Sequence, residues 1–406
     1  MKVLKSIFSP RKLLIWIFII LIAITVPEFT EPAMSQTEAI VNMLCVDKTE
    51  NNFNVSTTVL TPSQEKTTSY QVYSGSGETL GEAVENISLT IGKEMGFAQC
   101  EIMAFGEQIC EDGVLSALDY LTRTRKVGRN AILINYTGDG KDFCNAISKI
   151  STEKNIKLEN IINFDKRYIL SRDSNIDSFY EGYFSEISLG IMPQIKLENI
   201  EPETAIEVMA NASSSAAATK EETKEKKHIV NDGTMSVFKK GKKVLEVEPE
   251  MVKRINLFLN MSQQGTLKVE NVTDDLYSNA TVILSLSEKQ IKLKPSFKNN
   301  APIYEINISL TILVEEVMEE NPNKDFLRRN KEFLTPALIE KLKETTKQEM
   351  ESVISYCKEN EVDLMNVYRQ FNRKKYKEFK NYYNNEKENY LNNIQYSINV
   401  QVQSAY

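Results

Sequence analysis

Four carboxylates, Glu101, Glu107, Glu111 and Asp112, form the densest group of residues in this sequence that could do chemistry. Two of them flanking a glycosidic bond would equip a glycoside hydrolase, one as acid and the other as base or nucleophile. Carboxylates at strand ends and helix starts serve more often as solvated groups and helix-dipole partners, and that reading is preferred. Gly75-x-Gly77, ahead of a helical stretch, has the glycines of a phosphate-cradling loop. Neither the next glycine of a dinucleotide fingerprint nor the Gly-Lys of a P-loop follows, so a turn and a helix cap account for it.

His228 is the sole histidine and stands in a polar, lysine-rich segment. Catalytic triads, His-metal sites and imidazole proton relays are thereby almost excluded. Cys45, Cys100, Cys110, Cys144 and Cys357 contain no C-x-x-C pair, and their odd number leaves at least one thiol unpaired. Most sit among apolar neighbours, which favours small buried hydrophobes over a disulfide framework. The expectation is a protein without enzymatic activity, metal or cofactor. Asp119 and Arg123, four apart in the favourable order, read as a surface ion pair, with a partner contact as the alternative. Arg373–Tyr383, RKKYKEFKNYY, interleaves cations and aromatics as a membrane-surface or nucleic-acid segment would. A solvated helix with an aromatic packing edge is the preferred account. The net charge of −7 offers no basic footprint for nucleic acid.

These residues need elements to hold them. Lys2, Lys5, Arg11 and Lys12 precede the apolar run Leu13–Val26, which Pro27 closes. That order marks an export segment, leaving residues 1–12 in the cytoplasm and delivering everything after Pro27 across the membrane. The weak pattern Ala33-Met34-Ser35 leaves cleavage and retention both open. Ala39–Val46 and Phe53–Leu60 then read as a hairpin. Thr79 with Glu82 makes a capping box, ahead of a helix that buries Leu80, Ala83, Val84, Ile87 and Ile91. The apolar segment Ala98–Phe105, a turn at Gly106, a helix from about Asp112 and the short run Ala131–Tyr136 follow. This alternation predicts a partly parallel sheet with right-handed crossovers.

Ala212–Lys227 changes composition abruptly and reads as a linker. Beyond it, period-two alternation at Val282–Leu286, Tyr304–Val314 and Ile398–Val402 predicts strands. A stripe of Leu334, Leu338, Leu342, Met350, Ile354 and Cys357 predicts a long covering helix. The expected fold class is therefore α+β and multidomain: an N-terminal mixed α/β sheet region over 37–210, undivided or split near 154, a linker over 211–230, and an antiparallel sheet covered by long helices over 231–406.

The ordered set of segments resembles the Ger(x)C family, the C subunits of spore nutrient germinant receptors. Leu44-Cys45-Val46-Asp47 stands where the family has a strand ending in Gly-Ile-Asp, and Gly77-Glu78-Thr79-Leu80 matches its Gly-x-Thr helix entry. Gly106-Glu107 matches a strand ending in Gly-Glu. Asp119 and Arg123 match the Asp and Arg of the next helix, with Arg129 entering the following strand. Gly233 to Phe238, with one residue more between them, resembles the Gly-x-x-x-Phe strand, and Asp363-Leu364 the Asp-Ile/Leu motif. The resemblance departs at the family's lipobox: no cysteine ends the apolar segment, so anchorage by an uncleaved Leu13–Val26 helix is expected in place of lipidation. The family's C-terminal tryptophans are also absent, the only Trp being Trp16, with Tyr376 and Phe379 as candidates for their role. The resemblance implies a non-catalytic coupling subunit on the outer face of the spore inner membrane, beside integral-membrane A and B subunits. A solitary exported solute-binding or sensor protein is the alternative, and a wall hydrolase a weaker one.

Overall fold

A computed structural model describes residues 38–61, 69–154, 174–199, 227–231, 233–259, 265–319 and 334–405. The export segment and most of the linker fall outside these. No described helix is long and apolar enough to cross a membrane.

The first sheet is built around parallel strands. β1 (Glu38–Lys48) and β2 (Phe53–Thr61) form the expected hairpin, and β3 (Ser69–Gly77) extends it antiparallel. After helix α1 (Leu80–Ile91) and the short β4 (Glu94–Gly96), strands β5 (Ile102–Phe105), β6 (Ile132–Thr137) and β7 (Leu189–Asn199) line up parallel to β1. Between them run α2 (Glu107–Asp112), α3 (Leu115–Asp119, continuing as a π turn to Thr124), α4 (Gly140–Lys154) and α5 (Ile176–Tyr183). Both faces are covered, as parallel strands require. Leu44 and Val46 join a core with Val84, Leu118 and Phe179, while Met43 and Cys45 face Phe143 and Ile147 of α4.

Three features of this first sheet differ from the sequence reading. Gly75 and Gly77 lie in a strand, not in a loosened loop. A Cβ on Gly75 would stand 2.6 Å from the Ala83 carbonyl and 2.7 Å from Ile87, so these glycines let α1 lie directly on β3. The helix expected from Asp112 starts earlier, at Glu107, and breaks at Gly113, whose φ of 125° suits glycine. The sheet also runs past the linker. β8 (Lys227–Val230) and β9 (Met235–Lys239) both pair with β7, and β10 (Lys242–Val247) pairs with β9.

Helix α6 (Pro249–Phe258) leads to the second sheet: β11 (Thr266–Val272), β12 (Ala280–Lys298), β13 (Ala301–Met318) and β14 (Gln395–Ser404), in that order. The first three are antiparallel as expected, but β14 is parallel to β13 over ten consecutive pairs. The cause is the excursion between them: α7 (Pro336–Glu359), α8 (Val367–Lys374) and α9 (Tyr376–Glu386) carry the chain back to the starting end of β13. Alternation reports which face is buried, not strand direction. The α7 stripe is buried as predicted, with Leu338, Leu342, Met350, Ile354 and Cys357 against the sheet.

Candidate functional site

Asp47 closes β1 where the parallel strands end, the place at which open α/β sheets commonly take ligands. Its carboxylate turns inward. Oδ2 accepts the Gly140 N–H at 3.2 Å, at the start of α4, and the buried Tyr136 hydroxyl points at the same group. Gly106, whose N–H bonds the Val46 carbonyl at 3.0 Å, leaves the room: a Cβ there would lie 2.0 Å from Asp47 Oδ1. Burial pushes the Asp47 carboxyl up, against the pull of the Tyr136 hydroxyl and the Gly140 N–H. The crevice is thus filled by the protein's own carboxylate. Tyr136 and Gly140 were not singled out in the sequence, although Gly138-Asp139-Gly140 ahead of an amphipathic run is a turn-and-helix signal.

The four carboxylates do not converge. Glu101 precedes β5 and Glu107 follows it, so the strand's length separates them. Glu107, Glu111 and Asp112 are exposed on α2, and Asp112 is taken by Lys48 and by Gln108, 3.1 Å away. The bond from Lys48 holds the Asp112 carboxyl below its usual range. Thr79 caps α1 by accepting the Glu82 N–H at 3.1 Å; the returning bond from Glu82 reaches the Glu78 N–H at 3.0 Å, one residue before the usual target. Gly77 packs beneath that cap. These residues are architectural.

Two motif positions meet at a surface. Arg123 and Asp119 form a bidentate, solvent-exposed pair with a closest approach of 3.0 Å. Asp119 and Arg129 line one open groove of about 1110 Å³, in which Arg129 pairs with Asp177 at 3.3 Å. Phe184, 77% exposed, forms another wall. Asp177 and Phe184 carried no recognisable signal in the sequence, because their partners come from distant segments.

Gly233 and Phe238 stand where the two sheets join. Gly233, at φ 90°, turns the chain into β9. Phe238 packs edge-on to Phe179 at 5.5 Å within the N-terminal core, while its neighbour Val237 belongs to the C-terminal core. One strand is therefore the wall of both cores. A buried polar seam reinforces it: Ser236 donates to Asn135 at 2.8 Å, and Asn135 donates to the Phe105 carbonyl at 3.0 Å. Asp363 is buried at the other end, accepting the N–H groups of Val367 (2.8 Å) and Tyr368 (2.7 Å) and the Tyr390 hydroxyl (2.9 Å). Burial raises its carboxyl despite those bonds. All five cysteines are buried and outside any disulfide, with Cys45 and Cys144 in sulfur contact at 3.3 Å.

Residues 36–197 match the family described as spore germination protein N-terminal domain, and residues 233–404 match spore germination B3/GerAC like, C-terminal. This chain belongs to the Ger(x)C family. The first matched segment ends at 197 and the second starts at 233, yet β9 and β10 of the second complete the sheet of the first. A solved structure described as the GerBC protein is 12% identical, with a TM-score of 0.47, over 89% of this chain and 97% of that one. No curated protein matches by sequence.

Proposed function

We propose that this chain is the extracytoplasmic C subunit of a nutrient germinant receptor. It is held at the outer face of the spore inner membrane by its uncleaved Leu13–Val26 segment, beside integral-membrane A and B subunits. Family membership across both halves of the chain carries this reading. In it the protein acts by contact and does no catalysis. The separation of Glu101 from Glu107 and the filling of the strand-end crevice by Asp47 support that role. The shared β9 supports coupling: a push on one half is passed to the other through a packed wall, not through a loose tether.

Deleting the gene in a spore-former without a paralogue tests the proposal. Germination in response to particular nutrients is lost while non-nutrient triggers still work. Normal nutrient germination of the deletion strain would refute it.

A further inference from the structure

The α8–α9 corner carries a concentration of positive charge that the fold does not consume. Arg373, Lys374, Lys375, Lys377 and Lys380 fall within eight residues, with Glu378 as the one acid among them, in a chain whose net charge is −7. The backbone break at Lys375, with φ −138° and ψ 41°, turns α8 into α9 and splays these side chains around a corner.

The corner is joined to β12. Lys374 donates to the Leu293 carbonyl at 2.7 Å, and Phe371 packs edge-on to Phe297 at 5.6 Å. β11 pairs only with the Ala280–Ser285 part of β12, so the later part is a sheet edge among the described residues. That strand also carries Lys292, Lys294 and Lys298, all exposed, on the face opposite Phe297 and the helices. Glu305 is the acid facing it, opposite Lys294 in register. Among the described residues Arg373, Lys375, Lys377, Lys292, Lys294 and Lys298 form no ion pair. Tyr376, between Lys375 and Lys377 in the chain, is 52% exposed, with the Lys380 ammonium 5.5 Å from its ring centre.

We propose that this corner is a docking surface for an anionic phospholipid bilayer. Clustered cations with an amphipathic ring among them suit a negatively charged headgroup layer, each cation contributing about fivefold to binding at low salt. A merely solvated helix would alternate its charges with acids, as α7 does with Lys343–Glu340 and Lys347–Glu351. The proposal rests on the membrane attachment proposed above: the N-terminal segment tethers the chain, and this corner sets how the folded body lies on the bilayer.

The test uses the full chain reconstituted into vesicles of phosphatidylcholine alone, or of phosphatidylcholine mixed with phosphatidylglycerol. Lysine acylation is then read residue by residue by mass spectrometry. Lys375, Lys377 and Lys380 become protected only in the anionic vesicles, and high salt removes the protection. The variant Arg373→Gln/Lys375→Gln/Lys377→Gln, with an unchanged circular dichroism spectrum, loses protection at Lys380 by on the order of a hundredfold. Equal labelling in both vesicle types would overturn the proposal and leave an acidic protein surface as the occupant. If the chain failed to stay with the vesicles at all, membrane attachment itself would fall, a result distinguishable from equal labelling.

Discussion

Replacing Asp363 is the sharpest perturbation of the fold that this structure offers. Its carboxylate accepts two backbone N–H groups at the start of α8 and the Tyr390 hydroxyl, in a site only 5% exposed. In Asp363→Ala the helix loses its cap, worth about 1 kcal/mol. A second backbone donor and the tyrosine hydroxyl are left buried without partners, at about 1–3 kcal/mol each. The sum is on the order of 4 kcal/mol, a large share of the ~5–15 kcal/mol that holds a typical protein folded. Asp363→Asn keeps one acceptor oxygen and costs about half as much. Because burial raises the Asp363 carboxyl above the ordinary 3.8, the folded protein holds that proton more tightly than the unfolded chain does. Its contribution to stability is full below 3.8 and is lost as pH rises through the folded value; the Asn variant lacks this slope. Equilibrium denaturation followed by near-ultraviolet circular dichroism reads the effect, since Tyr368, Tyr383 and Tyr390 cluster there with Phe379. An Asp363→Ala protein within about 0.5 kcal/mol of the parent would refute the reasoning.

Three further outcomes follow from individual contacts. Gly75→Ala drives a methyl into the Ala83 carbonyl and costs about 1–3 kcal/mol in a thermal melt; no change would mean that α1 lifts freely from β3. Lys289 is buried with its ammonium donating to the Leu257 carbonyl, and burial pulls its pKa down to about 8. The folded state therefore favours the neutral amine, and the parent gains stability as pH rises from about 8 toward 10.5. Lys289→Met lacks that gain, and parallel pH profiles would contradict the assignment. Arg123→Ala breaks a pair whose side chains are 72% and 60% exposed, so it shifts stability by less than about 1 kcal/mol; a larger loss in denaturant melts would show that the pair is structural.

The sequence disclosed elements whose apolar residues keep one period, and it hid those that depend on distant partners. The β1–β2 hairpin, the Thr79 cap and the α7 stripe were legible because each is local. β3 was not, since SYQVYSGSG carries little apolar alternation and its glycines imitate a loop. α2 is a six-residue helix, too short to set up a stripe. The membership of β8, β9 and β10 in the first sheet was hidden by a composition shift that marks a change of chain segment, not of hydrogen-bonding partner. At the candidate site, Asp47, Gly106, Asp119, Arg129, Phe238 and Asp363 were flagged by motif. Their partners Tyr136, Gly140, Asp177, Phe179 and Tyr390 emerged only in three dimensions.

We propose that this protein serves germination by contact, without chemistry of its own. In a strain lacking the gene, complementation with Glu101→Gln/Glu107→Gln/Glu111→Gln tests it most directly, read as the rate of nutrient-triggered germination in spores holding equal amounts of protein. The account predicts the parental rate. A stable, correctly delivered triple variant that left the spores dormant would contradict it and return those carboxylates to the role of catalysts.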